Sequence, residues 1–187
     1  MSIVERLIGT LAPHQCLVCG NEGSLLCAWC LPDAIEPLPA RCYKCKEQSN
    51  ESAVCKKCRR NSPLKHVWVR AQYKHVAKQL VYRLKFSHTP AAAAPIAELL
   101  GESLPWMSPD TIVVHVPTAT SRRRQRGFDH SELIAKQLAR FLGLRHCSLV
   151  ARYGHTRQVG AKRKERLTQL KDAFYPRQEY LIKNASI

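Results

Sequence analysis

The segments CLVCGNEGSLLCAWC (16–30) and CYKCKEQSNESAVCKKC (42–58) decide how the front of this 187-residue chain folds. Together they hold eight of its nine cysteines, arranged as four Cys-x-x-Cys knuckles. A two-residue gap lets both sulfurs of a knuckle bind one metal ion, and two knuckles complete a tetrahedral four-thiolate zinc site with no open position for substrate. The pattern therefore predicts two structural Zn²⁺ sites, with the ligands Cys16, Cys19, Cys27, Cys30, Cys42, Cys45, Cys55 and Cys58.

The partnering of the four knuckles stays open at this point. Sequence neighbours close shorter loops, which favours one site within 16–30 and the other within 42–58. An alternating, cross-braced pairing is the alternative. A disulfide framework is disfavoured because the first fifteen residues lack the apolar run of a signal peptide. The ninth cysteine, Cys147, lies in an apolar segment and is interpreted as a small buried hydrophobe.

Composition predicts two domains. Residues 1–62 are rich in Pro, Gly, Cys and charge, so metal binding must supply most of their folding energy. We predict a small module with two metal sites there, preceded by a short amphipathic helix over residues 3–11, and a second domain over residues 63–187. No segment approaches the roughly 18 to 20 apolar residues of a membrane span, so we expect a cytoplasmic protein.

Periodicity in residues 63–187 predicts an α/β fold with a parallel sheet and flanking helices. Alternating apolar residues over 66–73 predict a half-buried strand. Apolar residues at helical spacing predict one helix that begins at His75 and a second helix that ends at Gly101. A β-branched strand, a basic loop and a helix that begins at Asp129 form half of a parallel α/β unit. The other predicted elements are strands at 111–116, 147–151 and 180–187 and a helix that ends near Phe174.

The formal net charge is +16, from 30 Lys and Arg against 14 Asp and Glu. This excess predicts attraction to phosphate-bearing partners, which could be nucleic acid, a phosphorylated small molecule or an anionic surface. A generally basic, solvated surface is the alternative, and charge alone does not choose.

The basic loop PTATSRRRQRGF (117–128) directly follows the 111–116 strand. Ligands of open α/β sheets bind beyond the carboxyl ends of the strands. Guanidinium groups bind phosphate oxygens in pairs, Gly127 lets the backbone approach a ligand, and the next helix offers its positive end. The loop therefore predicts a polyphosphate site, with a solvated basic loop as the alternative.

Several separated motifs resemble one known family. The chain resembles the ComF-type competence protein family in its four knuckles, in LVYRLKF (80–86), in VPTATSRRRQRGFDHSELIA (116–135) and in the spaced residues Arg152, Thr156, Gln158, Arg166 and Ala173-Phe174. That family joins an N-terminal double zinc ribbon to a type I phosphoribosyltransferase domain. The resemblance covers about residues 11–187 and implies a role in natural competence, DNA uptake and the handling of single-stranded DNA.

The resemblance also implies a substrate site for phosphoribosyl pyrophosphate with Mg²⁺, used in glycosyl transfer. It places Arg122, Arg126, Gly127 and Phe128 in the pyrophosphate-side loop and Lys85 at the end of the helix that covers the site. The residues in the segment that resembles the mobile closing loop are Arg152, Thr156, Gln158 and Arg166. No catalytic residue is assigned.

The sequence departs from the family mildly at single positions and seriously in one missing segment. The family usually has Asn where Asp129 stands. Its next segment, a strand that runs into an Asp-Asp pair and a Thr-Thr-Gly phosphate loop, has no counterpart, since no two acidic residues are adjacent here. We therefore expect either an N-terminal fragment or a truncated protein, inactive by itself.

A second function stays open beside the transferase reading. The chain could be a non-catalytic zinc-ribbon protein that binds single-stranded DNA, alongside competence and recombination proteins, with a degenerate transferase domain. Aromatic residues that could stack on bases are Trp29, Tyr43 and Trp68.

Overall fold

The computed structural model describes residues 13–153, 170 and 173–177. Their helices are α1 (Leu31–Ala34), α2 (Lys56–Arg59), α3 (His75–Phe86), α4 (Ala93–Gly101), α5 (Thr120–Arg126) and α6 (His130–Leu142), with 3₁₀ turns at Asn50–Ser52 and Pro90–Ala92. Their strands are β1 (Ile112–Val114), β2 (Arg145–Cys147), β3 (Val150–Arg152) and β4 (Phe174–Pro176). The sequence-predicted helices from His75 and up to Gly101 are confirmed.

The chain divides into two compact units. The first comprises the described parts of Met1–Val81 together with Leu99–Trp106, and the second comprises Tyr82–Glu98 with the described parts of Met107–Ile187. Both cysteine clusters belong to the first unit. The predicted domain boundary between residues 62 and 63 stays a prediction.

The first unit is built largely from turns. Its two cysteine segments each begin with an isolated antiparallel bridge, Gln15 with Glu22 and Arg41 with Gln48. One short helix follows the last knuckle of the first segment, α1, and another includes the last cysteine of the second segment, α2. The buried apolar side chains between residues 13 and 62 are few, which agrees with a module that depends on metal: Leu25, Leu26, Leu31, Ile35 and Val54.

The prediction of a strand over residues 66–73 is wrong, because this segment does not join a β-sheet among the described residues. His66 forms an isolated bridge with Ala53, and no ladder follows it. Two further backbone bonds hold the segment, from Val67 N–H to the Ser52 carbonyl at 3.1 Å and from Leu38 N–H to the Arg70 carbonyl at 3.3 Å. Alternation defines the two faces of an extended segment, but a ladder also needs a partner strand at the right distance.

The second unit contains the predicted parallel α/β arrangement in small form. β1 and β2 pair in parallel, with Ile112 opposite Arg145 and Val114 opposite Cys147, and α6 packs on both strands. The predicted strand at 147–151 is instead the end of β2 and most of β3. β3 pairs antiparallel with β4, which begins at Phe174. Leu170 is helical, and the rest of the helix predicted to end near Phe174 lies outside the described residues.

The predicted basic loop is also different, because residues 120–126 form the helix α5. Arginine and glutamine favour helix, and Gly127 ends it in the left-handed region at φ 81°. The Gly127 N–H donates to the Arg123 carbonyl at 2.9 Å. This glycine therefore serves as a helix cap, and its N–H is already occupied.

Asp129 is the N-cap of α6, as predicted, and is 6% exposed. Its carboxylate accepts hydrogen bonds from Ser131 N–H at 3.0 Å, Thr118 N–H at 2.7 Å and the Thr118 hydroxyl at 2.7 Å. Glu132, the expected second half of a capping box, binds Lys136 at 2.7 Å. The positive end of α6 is thus neutralised by the chain's own carboxylate.

The remaining predicted elements lie outside the described residues. They are the helix at residues 3–11, the strand at 180–187 and most of the segment from 154 to 172. Among the helices that are described, none combines the length and the apolar character needed to span a bilayer.

We expect Asp129→Ala to lower the free energy of unfolding by about 2 kcal/mol, since it removes a helix cap and leaves buried donors unpaired. Burial acts to raise the pKa of Asp129, but hydrogen bonds from Thr118 and Ser131 outweigh it and lower the pKa. The stabilisation is therefore complete above the ordinary carboxyl pKa of about 4 and is lost as the pH falls below it. Urea denaturation of both proteins at several pH values measures the difference.

Asp110→Ala is the matched control, because Asp110 is exposed in the same unit. It should change stability by less than about 0.5 kcal/mol. Equal unfolding midpoints for the Asp129 and Asp110 variants would show that the cap contributes nothing special.

Candidate metal centres and basic cluster

The first cysteine cluster consists of Cys16, Cys19, Cys27 and Cys30. Its four Sγ atoms all lie within 4.8 Å of one another, and those of Cys19 and Cys27 are 3.7 Å apart. With Zn–S bonds of about 2.3 Å, a tetrahedral site has sulfur–sulfur edges of about 3.8 Å. The sulfurs therefore fit a four-thiolate zinc site.

The second cluster repeats this arrangement with Cys42, Cys45, Cys55 and Cys58. Its sulfurs also lie within 4.8 Å of one another, and the Cys45–Cys55 pair is again 3.7 Å apart. The knuckles are thus partnered as sequence neighbours, and the cross-braced alternative is not what the structure has. Each cluster offers four ligands, which supports two closed sites without a free coordination position.

Backbone amides prepare one sulfur of each cluster to be a thiolate. The pKa of Cys42 is lowered to about 6, because the N–H groups of Cys45, Cys55 and Lys44 bond its sulfur. At Cys16, burial acts to raise the pKa, but hydrogen bonds from the N–H groups of Cys19, Cys27 and Val18 outweigh burial and lower the pKa to about 6. A thiolate is the form that binds metal.

The last sulfur of each cluster shows the opposite shift. Hydrogen bonds with neighbouring cysteine side chains, Cys19 first for Cys30 and Cys55 first for Cys58, raise both pKa values to about 12. Four sulfurs this close resist becoming thiolates together unless a cation lies among them. The donor set and its crowding therefore both fit Zn²⁺.

A second candidate site lies in the second unit and is called the basic cluster, formed by Lys85, Arg126 and His130. Arg126 Nε donates to the Lys85 carbonyl at 2.7 Å, and its Nη1 donates to His130 Nδ1 at 3.2 Å. The guanidinium carbon lies 6.0 Å from the ring centroid of Phe86, within the range of a cation–π contact. These contacts join the end of α3 to the turn between α5 and α6.

The contacts also indicate the protonation state of His130. A guanidinium group only donates hydrogen bonds, so Nδ1 must accept and the ring proton belongs on Nε2. Burial, followed by the charges of Lys85 and Arg126, lowers the pKa of His130 to about 4. The ring is therefore neutral at pH 7.

The cations of the basic cluster form no salt bridge among the described residues, although the nearby Asp129 carboxylate partly offsets the charge of Arg126. The pKa values of Lys85 and Arg126 are both lowered, first by burial and then by a neighbouring positive charge. Salt bridges in the described part of the chain join Arg70 to Glu102 and Lys136 to Glu132, and neither pair belongs to this cluster. An anion bound here would relieve the repulsion, so the basic cluster is a candidate anion site.

The other predicted site residues have separate surroundings. Arg122 donates to Gln125 Oε1 at 2.9 Å on α5, and Phe128 is half-buried after the Gly127 cap. The guanidinium of Arg152 lies 5.5 Å from the ring centroid of Phe174, and its buried Nε has no hydrogen-bond partner in the described structure. The predicted site residues that lie outside the described residues are Thr156, Gln158 and Arg166.

Sequence reasoning missed several contacts of the second unit. The sequence pattern did not predict that Arg126 lies over the Phe86 ring or that Thr118 bonds Asp129. His115 Nδ1 and His146 Nε2 lie 3.1 Å apart, although 31 positions separate them in sequence. The parallel pairing of β1 with β2 brings these two rings together.

Comparison of the chain with protein-family models, with curated proteins and with solved structures found no match. The chemistry of the two candidate sites is therefore judged from their own geometry.

We expect the purified chain to hold two zinc ions, one in each cluster, because each cluster supplies a full tetrahedral ligand set. Replacing Cys27 and Cys30 together by serine should leave one zinc ion per chain. Elemental analysis by plasma mass spectrometry after gel filtration gives the ratio.

Cys147→Ser provides the control, since Cys147 belongs to neither cluster. It should keep both zinc ions. Two zinc ions in the double serine variant, or none in the unaltered chain, would contradict the assignment.

Proposed function

We propose that this chain binds a polyphosphate at the basic cluster and acts as a ComF-type protein, with phosphoribosyl pyrophosphate and Mg²⁺ as its ligand. The observation that supports it most is the basic cluster, in which two cations and a neutral imidazole meet without a salt bridge among the described residues, and the nearby Asp129 does not reverse the lowering of the pKa of Arg126 or His130. Phosphate oxygens would supply the missing charge and accept the unused N–H groups.

A polyphosphate fits the basic cluster better than a single phosphate does. Arg126 uses Nε and Nη1 for Lys85 and His130, and for its Nη2 no partner is found among the described residues. Arg122, Arg123 and Arg124 extend the positive charge along α5. Charge distributed over two elements matches a ligand with several phosphoryl groups.

The position of the basic cluster agrees with a phosphoribosyltransferase-like sheet. The segment from Val116 to Asp129 follows β1, and ligands of parallel sheets bind beyond the carboxyl ends of strands. We propose that β1, α6 and β2 are part of a type I phosphoribosyltransferase-like fold. Because the Asp-Asp pair and the Thr-Thr-Gly loop do not occur in this sequence, ligand binding without turnover is what we expect of this chain alone.

A second candidate function is binding of single-stranded DNA by the first unit, as part of DNA uptake in natural competence. The observation that favours it is Trp29, which is 89% exposed inside the second knuckle of the first cluster. Tyr43 and Trp68 are less suited, because Tyr43 bonds the Ser62 hydroxyl at 2.8 Å and Trp68 stacks on His66. An exposed indole on a strongly basic protein offers a stacking platform for bases.

For the polyphosphate proposal, isothermal titration with phosphoribosyl pyrophosphate and Mg²⁺ should detect binding. Arg126→Gln should weaken the affinity about ten- to a hundredfold, since it removes a charge-assisted contact. Arg140→Gln makes an equal change of charge at an exposed position in the last turn of α6, away from the basic cluster, so it is the control and should have a much smaller effect. Equal weakening by both variants would indicate diffuse attraction, and absence of heat with the unaltered chain would end the proposal.

For the DNA candidate, binding of a labelled oligothymidine should weaken steeply as salt increases, because phosphate contacts release counterions. Trp29→Ala should cost about 1 to 3 kcal/mol of binding free energy if a base stacks on the indole. Trp106→Ala is the matched control, since Trp106 is 83% exposed in the same unit. An affinity that does not respond to salt would exclude phosphate contacts, and equal losses in both variants would exclude a specific role for Trp29.

A further inference from the structure

The first unit contains a cleft of about 640 Å³ that neither candidate function uses. Two segments without helix, turn or bend, 36–39 and 67–71, line it together with the beginning of α3, 74–77. The cleft therefore has the elongated walls that suit an extended ligand.

One wall of the cleft is an apolar stripe formed by Val67, Val69 and Ala71. These are alternate residues, and they belong to the face that the sequence pattern predicts to be covered. In the structure Val69 is 55% exposed, so the described residues leave this stripe only partly covered. Exposed apolar side chains beside polar ones are typical of a binding surface.

The backbone of the same wall is open to further pairing. Val67 N–H and the Arg70 carbonyl have partners, whereas the N–H groups of Val69 and Ala71 make no backbone hydrogen bond to any described residue. An extended segment with free N–H groups and carbonyls can accept an added strand. A peptide in extended conformation would pair there and place alternate side chains against the stripe.

Positive charge surrounds the stripe. The lining includes Arg41, Lys46 and Lys74, and Glu36 is the only carboxylate among the described lining residues. Charge complementarity therefore favours an acidic ligand.

Backbone conformation at the cleft is a separate observation. Lys46, Ser52 and His75 all line it, and each has a positive φ although none is glycine, at 66°, 57° and 43°. Such conformations cost free energy and tend to occur at ligand-binding positions. The surrounding structure thus maintains three unfavourable backbone positions around one cleft.

We propose that this cleft binds an extended acidic segment of a partner protein. Aliphatic side chains at alternate positions of the segment lie against Val67, Val69 and Ala71, and its carboxylates face Lys46 and Lys74. Among the described lining residues Tyr43 is the one phenol or indole side chain, and its hydroxyl is bonded to Ser62, which favours an aliphatic peptide over stacked bases. The proposal uses residues of the first unit alone and does not depend on the basic cluster.

Fluorescence anisotropy of the zinc-loaded full chain with a labelled peptide, Asp-Val-Glu-Val-Asp-Ile-Glu, tests this directly. Lys74→Glu should weaken binding about tenfold, because like charges then oppose each other across the contact. Lys78→Glu makes the same charge change on exposed surface outside the cleft, and it should leave the affinity within about twofold.

A second pair of variants tests the apolar stripe. Val69→Glu should also weaken binding about tenfold or more, since it adds a repulsive charge and removes apolar contact. Leu64→Glu is the control at an exposed apolar position outside the cleft. Zinc content and circular dichroism of each variant verify that it is folded.

Several results would overturn the proposal. They are no binding of the peptide, equal weakening by both members of each pair, or a peptide with grouped acids, Asp-Glu-Asp-Glu-Val-Val-Ile, that binds equally well. Binding of oligothymidine that is lost in Lys74→Glu, without peptide binding, would assign the cleft to nucleic acid. Peptide binding that appears only after deletion of residues 1–12 would assign the cleft to the chain's own beginning.

Discussion

The structure of the first unit depends on one constraint, the crowding of four sulfurs in each cysteine cluster. Sulfurs about 4 Å apart cannot all be thiolates unless a cation neutralises them. The opposite pKa shifts of Cys42 and Cys58 express this constraint, since backbone amides favour the thiolate at one and neighbouring sulfurs disfavour it at the other. A Zn²⁺ ion bound in each cluster would resolve this conflict and would link segments that bury little apolar surface.

The two clusters use different residues for the backbone turn that follows their first knuckle. After the first knuckle of each cluster the chain turns through the left-handed region, at Gly20 with φ 76° and at Lys46 with φ 66°. Glycine adopts this conformation freely, whereas lysine does so at a cost. Lys46 also lines the cleft, so the more costly residue occurs on the side of the unit where we propose a ligand.

The second unit has a comparable constraint, the crowding of positively charged groups in the basic cluster. Burial and mutual repulsion lower the pKa values of Lys85, Arg126 and His130, and the nearby Asp129 carboxylate is engaged by Thr118, Ser131 and the start of α6. The positive end of α6 is therefore not available for a phosphate. The arginine side chains, rather than the helix end or the Gly127 backbone, are the groups that support the polyphosphate proposal.

The sequence by itself determined features that depend on residues close together in the chain. The two-residue gap of each knuckle defines a chelating pair of sulfurs, apolar spacing defines α3, and Asp129 before an amphipathic run defines a helix start. These interactions span one helical turn or less, so they can be read without knowledge of the fold. The basic segment was recognised as basic, but its helical form was missed because a helix of seven residues leaves little periodic signal.

The tertiary structure alone decided which distant groups meet. It partnered neighbouring knuckles and brought Arg126 to the Lys85 carbonyl, 41 positions away. It also left the 66–73 segment without a ladder, although its alternation predicted a strand. Local pattern shows which face of a segment is apolar, but the partner of that face depends on how the intervening chain closes, and that information is not contained in the pattern.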